Sequence, residues 1–197
     1  MYSQNNEEQI ILKCLEDAGS SKFIEIGAYD PFKFSNTRRL VELGWEGVYV
    51  EPSTPCYAKF QKEYQNNPKI MLYPFAVGKE KGNVLFYESA DAISTTSKPW
   101  KELWENGSKS QFIEKRVDVI TGEDLYSLCG QGSVFLNIDT EDTNIDVLNS
   151  FREETISKFR LICIEHQGKL RYLRTYFKKI GFREVLLNNE NFIFQKV

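Results

Sequence analysis

Ile10, Ile11, Cys14, Leu15 and Ala18 recur at helical spacing, which predicts a lead-in helix over residues 7–18 that stops at Gly19. The period then changes. KFIEIG (22–27) is a β-branched and aromatic run closed by glycine, the pattern of a buried strand entering a turn. Ser35 can cap a helix over SNTRRLVELG, with Leu40 and Leu43 inward and Gly44 as its stop. GVYVEP (47–52) predicts a second strand closed by Pro52, and Ser53-Thr54-Pro55 opens another helix with a cap and an early proline. Further strands are predicted at 69–77, 83–88, 114–120, 133–139 and 160–166, with helices around 143–158 and 169–180. At the tail, REVLL and NFIFQKV flank Asn188, Asn189, Glu190 and Asn191, the signature of an antiparallel hairpin. Strands alternating with helices predict a doubly wound, mostly parallel α/β sheet. One stretch breaks the rhythm: residues 89–113, rich in Ser, Thr, Lys and Trp, exceed what a connection needs and are expected to form a lid or substrate loop.

Composition narrows the class. At 197 residues, 41% of them hydrophobic and 27% charged, the chain is expected to form a single domain over 1–197 with a real core. A net charge of -3 gives no global pull toward nucleic acid or anionic membrane. No apolar run is long enough to span a bilayer and MYSQNNEEQI lacks the features of a signal peptide, so a cytoplasmic location is expected. Cys14, Cys56, Cys129 and Cys163 form no CxxC or Cys/His pair and are expected to be free thiols. The helix near 169 carries Lys169, Arg171, Arg174, Lys178 and Lys179 opposite an apolar stripe, which reads as a solvated face.

The candidate chemistry gathers where strands end. Glu25-Ile26-Gly27-Ala28-Tyr29-Asp30 stands at the first strand-to-helix turn, where Gly27 and Ala28 allow backbone N–H groups to approach a ligand. Tyr29 and Phe32 occupy positions that a dinucleotide GxGxxG loop reserves for glycine, so a pyrophosphate cradle and an NAD-linked reading are disfavoured. Glu51 ends the second strand, where a carboxylate can accept both ribose hydroxyls. A ribose acid without a phosphate loop points to a mononucleoside ligand, with S-adenosylmethionine (SAM) as the candidate.

The run FIEIGAYDPFKFSNTRRLVELGWEGVYVEPSTP resembles the opening of the FkbM-type methyltransferases, whose pattern is roughly E-x-G-A-x-D-G, S-N-T, G-W-x-G and E-P. The likeness continues through Ala76-Val77-Gly78 and Asn137-Ile138-Asp139-Thr140-Glu141, covering residues 20–166. It implies a Rossmann-like class I methyltransferase fold with a seven-stranded sheet, SAM as cofactor, and O-methylation of a hydroxyl on a sugar or other small molecule or glycan acceptor. By the same resemblance Glu25, Gly27, Ala28, Tyr29, Asp30, Ser35 and Asn36, then Glu51, Pro52, Ala76, Val77 and Asp139, form the cofactor site. Pro31, Asn137, Asp142 and Asn144 depart from the pattern, which usually has glycine, lysine, glycine and glutamate there. That drift motivates the alternative of a degenerate SAM-binding scaffold or interaction module. For the chemistry, Asp139, Glu165 and the lone histidine His166 lie at neighbouring strand ends. His166 is the expected base, since its ordinary pKa suits proton transfer near neutrality. Asp139, Glu141 and Glu165 also admit a Mg²⁺ that would lower a bound hydroxyl's pKa.

Overall fold

A computed structural model of the chain describes residues 1–18, 20–89 and 91–197. The main sheet contains β1 (Lys22–Ile26), β2 (Glu46–Val50), β3 (Ile70–Tyr73), β7 (Phe135–Ile138), β8 (Leu161–Glu165), β9 (Phe182–Leu187) and β10 (Asn191–Lys196). Their order is β3-β2-β1-β7-β8-β10-β9. The first five are mutually parallel, and β10 lies antiparallel to both β8 and β9. The order reverses beside β1, so the ends of β1 and β7 border the crevice that α/β sheets of this kind use for ligands.

Both faces are covered, which is why the central strands read as near-continuous apolar runs. On one face Ile24, Ile26, Leu136, Ile138, Ile162 and Ile164 pack under α6 (Asn144–Asn149), α7 (Glu153–Ile156) and α8 (Leu170–Lys179). On the other, Phe23, Tyr49, Phe135 and Cys163 meet Ile11 and Leu15 of α1 (Glu7–Leu15), Leu40 of α2 (Arg38–Glu42) and Phe60 of α3 (Thr54–Tyr64). A second sheet, ordered β4-β6-β5, is built from β4 (Ala76–Val77), β5 (Gly82–Glu88) and β6 (Ile113–Ile120).

Several boundaries differ from the sequence expectation. The strand expected over 69–77 is two: Pro74, which has no N–H for a ladder, separates β3 in the main sheet from β4 in the small one. The helix expected over 143–158 divides into α6 and α7, because Ser150 donates to the Val147 carbonyl (2.6 Å) and accepts the Gly122 N–H (2.7 Å) at the break. Gly122 opens α5 (Gly122–Leu125), which runs on as a π-helical turn over Tyr126–Gly130. Inside the 89–113 stretch lies an unanticipated helix, α4 (Lys98–Ser108), capped by Ser97 Oγ accepting from Trp100 N. This stretch connects the antiparallel neighbours β5 and β6. The helix stop expected at Gly19 lies outside the described residues. Among the described residues no helix is long and apolar enough to cross a membrane.

Candidate active site

At the end of β1 the chain makes two left-handed turns in three residues, at Gly27 (φ 80°) and Tyr29 (φ 50°). A Cβ on Gly27 would stand 1.7 Å from the Asp139 carbonyl oxygen, so glycine is required by the backbone just after β7. The turn is tied to β2 through Glu51, whose carboxylate accepts the Tyr29 N–H at 2.8 Å and the Ser53 N–H at 2.7 Å. Burial raises the Glu51 pKa, partly offset by these two donors. Each carboxylate oxygen retains a lone pair for a further donor.

Glu51, Gly27, Pro52, Ala76, Val77 and Asp139 line a narrow cleft whose apolar wall includes Phe75 and Phe86. Residues 91–96 close it from above. Tyr29 Oη donates to Asp91 (3.0 Å), Thr95 Oγ1 to the Glu141 carbonyl (2.5 Å), and Thr95 forms a β-bridge with Tyr87. The cleft then encloses about 50 Å³ of free space. An adjoining cavity of about 350 Å³ is lined by Glu25, Ala28, Asp139, Glu141, Glu165 and Glu190. Aromatic side chains of Tyr29, Phe34, Trp100 and Trp104 complete its wall. Gly27, Tyr29, Ala92, Asp139 and Glu141 belong to both spaces.

Below the cavity, one row of the sheet runs Tyr49, Glu25, Asn137, Cys163 in register. The Ser35-Asn36-Thr37 segment is bonded onto it. Thr37 Oγ1 hydrogen-bonds to Glu25 and Tyr49, while Asn36 Nδ2 donates to Asn137 Oδ1 (3.2 Å) and to Cys163 Sγ (3.8 Å). Ser35 Oγ accepts the Arg38 N–H at 3.0 Å. Ser35 and Asn36 are buried and border neither space, and the Asn36 hydrogen bonds join this segment to the sheet. Asp30 is likewise absent from both linings: it accepts from the Phe32 and Lys33 N–H groups and from Lys59 Nζ.

The carboxylates of the cavity repel one another in a poorly solvated place. Burial pushes Glu25 up to about 8, and burial with the Glu165 charge pushes Glu141 up to about 8. Asp139 is raised well above its ordinary value by burial, Glu165 and Glu141, and Glu165 is raised chiefly by burial. Trp100 Nε1 donates to Glu141 Oε2 at 2.9 Å, and Asn144 and Gln167 donate to Glu165 Oε2 at 2.8 Å. Asn144, one of the departures from the family pattern, also accepts the Thr140 N–H (2.6 Å) and so sets the loop after β7. Asp142, another, adopts φ 76°, a conformation that suits the glycine usual there.

Two expectations are corrected. Among the described residues no group of three His, Cys, Asp or Glu side chains is placed to hold a metal ion, so Asp139, Glu141 and Glu165 share a cavity without forming a Mg²⁺ site. His166 sits outside both spaces, with both ring nitrogens engaged by backbone. Nδ1 accepts the Gly168 N–H (3.0 Å) and Nε2 faces the Asn188 carbonyl (3.2 Å), which fixes Nε2 as the protonated nitrogen. Sequence reasoning missed Trp100, Trp104 and Glu190. The tryptophans had a readable signal, a Ser97-Lys98-Pro99 helix opening followed by Trp at i and i+4, whereas Glu190 reaches the cavity only through the hairpin turn.

Strand order, crevice position and paired spaces define a class I methyltransferase fold. The model of the methyltransferase FkbM domain matches residues 25–184, and the chain belongs to that family. A crystal structure of a methyltransferase FkbM from Methylobacillus flagellatus superimposes with a TM-score of 0.56 at 15% identity, covering 89% of this chain and 43% of that one. This chain thus spans less than half of that protein. A structure described as a proposed RNA methyltransferase from Pyrococcus horikoshii aligns over 97% of this chain and 82% of its own, at 9% identity and a TM-score of 0.49. No curated protein matches the sequence.

Proposed function

We propose that the chain is a SAM-dependent methyltransferase acting on a hydroxyl oxygen of a small molecule or glycan. The observation that carries this reading is the junction of two spaces at Gly27, Tyr29, Asp139 and Glu141: a narrow, apolar-walled cleft holding Glu51 on one side and a polar, aromatic-walled cavity on the other. The residues of the cleft fit SAM. Glu51 has lone pairs free for the ribose hydroxyls, Val77 and Phe75 offer apolar surface for a base, and the absent phosphate loop matches a ligand without a pyrophosphate. When bound, SAM supplies an electrophilic methyl carbon.

The chain's own residues do the rest. Asp139 and Glu141 stand at the junction of the two spaces, and either of them, when ionised, is placed to take a hydroxyl proton. This moves the base from His166 to the carboxylates. With SAM held in the cleft by Glu51 and the apolar wall, its methyl group would be the one transferred, and the acceptor's hydroxyl proton would go to Asp139 or Glu141. In-line positioning by the aromatic wall supplies much of the remaining effect. Residues 89–113 act as the lid: residues within 91–96 line the cleft and are held there by the Tyr29–Asp91 and Thr95–Glu141 hydrogen bonds.

The test is calorimetry with S-adenosylhomocysteine (SAH), followed by transfer of labelled methyl from SAM to a panel of hydroxyl acceptors. SAH binding with transfer supports the reading. SAH binding without transfer favours the scaffold alternative, and no SAH binding rejects both.

A further inference from the structure

The lining of the outer cavity says more about the acceptor than the fold does. It holds five carboxylates, Glu25, Asp139, Glu141, Glu165 and Glu190, against one ammonium, that of Lys33. Two of the five, Asp139 and Glu141, also face the nucleoside cleft, where the positive charges of SAM can engage them. Glu165 and Glu190 line the outer cavity alone, so their charge is left for whatever enters from that side. A metal ion does not fit this arrangement, because among the described residues no three ligating side chains converge on one point.

The walls point to an organic cation. Tyr29, Phe34, Trp100 and Trp104 present ring surface, and electron-rich ring faces attract ammonium groups. The exposed Lys33 shows the wall doing so, its Nζ 4.7 Å from the Phe34 centroid and 5.7 Å from that of Tyr29. A volume of about 350 Å³ suits one ring-sized molecule rather than a polymer segment.

We infer that the acceptor carries a protonated amine beside its hydroxyls, as an aminosugar does, with the ammonium held by Glu165 and Glu190 against the aromatic wall. This rests on the outer cavity being the acceptor site of the proposed methyltransferase. The raised carboxyl pKa values agree, since burial first and neighbouring carboxylates second penalise the charged form, and an ammonium offsets both.

Glucosamine, glucose and glucuronate are the probes, titrated into the SAH-loaded chain by calorimetry and by tryptophan fluorescence. Glucosamine is expected to bind at least 10-fold tighter than glucose, with glucuronate weakest, and its advantage should shrink as salt is raised. Glu190→Gln and, separately, Glu165→Gln should each cut the glucosamine preference several-fold and leave SAH affinity unchanged. Equal binding of glucosamine and glucose, no binding of glucosamine, or a preference that survives both substitutions overturns the inference. Failure of SAH itself to bind is a separate readout and rejects the underlying methyltransferase reading instead.

Discussion

Glu51 shows how much one carboxylate can organise. It accepts an N–H from Tyr29 and another from Ser53, fixing the first turn against the end of β2 before any ligand arrives. Glu51→Ala removes both bonds and the proposed ribose contacts. SAH binding should weaken by about 1.5–3 kcal/mol, the range for hydrogen bonds to a charged group, or roughly 10- to 150-fold in Kd. Calorimetry on the folded variant checks this, and unchanged affinity would refute the ribose role. Position 51 could be singled out because it ends the second strand, and the structure puts it in the lining of the cleft. Gly27 was legible as a residue and not in its reason. Its Cβ would collide with the Asp139 carbonyl, a contact between positions 112 apart in sequence that no local pattern contains. Gly27→Ala should therefore cost more than about 2 kcal/mol of stability, combining strain at φ 80° with that overlap, and should be seen as a lowered Tm before any binding assay. His166 was chosen for its pKa, yet its ring nitrogens serve backbone groups. His166→Ala should lose about 1–2 kcal/mol of stability and keep its turnover, the reverse of what a catalytic base would do.

Among the elements, strands with strong apolar runs were predicted within a residue or two, because burial on both faces leaves little else for such sequences to do. Elements whose ends depend on distant partners were not. Pro74 was visible, but that it would send Ala76–Val77 into another sheet depends on β6, some forty residues later. Similarly, Glu7 of α1 accepts from Asn188 and Asn191, tying the N-terminal helix to the turn that carries Glu190 into the cavity. The 89–113 stretch was recognised as excess length, while α4 within it was missed. This helix is held to the site by Trp100 Nε1 on Glu141 and by Ser97 Oγ on Asp142 (2.6 Å). Trp100→Phe keeps an aromatic ring and removes the indole donor. Limited proteolysis should then cut within 89–113 several-fold faster than in the parent chain, and SAH should associate faster. Identical cleavage in both proteins would make the segment a fixed part of the scaffold.

For the whole molecule, the buried acids that crowd the cavity set the pH dependence of stability. Glu25, Asp139 and Glu165 could be listed from sequence, but Glu190 joins them only once the β9–β10 turn is assembled beside β8. Glu25 and Glu141 are raised from 4.5 to about 8, and Glu51, Asp139 and Glu165 are raised as well. In each case the folded state holds the proton more tightly than the unfolded chain. Their contribution is therefore fully present below pH 4.5 and is lost as pH rises through about 8. Opposing them, Glu7, Asp30, Glu123 and Glu184 are lowered by hydrogen bonds and ion pairs, so their contribution is lost as the medium becomes acid. Stability should thus peak in mildly acid solution. Between pH 5.5 and pH 8.5 it should fall by at least about 1 kcal/mol, a drop of roughly 2–4 °C in Tm for a chain of this size. Glu25→Gln isolates the cause, since glutamine resembles the protonated acid in shape and cannot ionise. The variant should match the parent at pH 5.5 and melt higher than it at pH 8.5. Thermal melts by circular dichroism at the two pH values decide the matter: a parent Tm that is level or higher at pH 8.5 would show that the cavity acids ionise without cost, and the repulsion assigned to them would have to be abandoned.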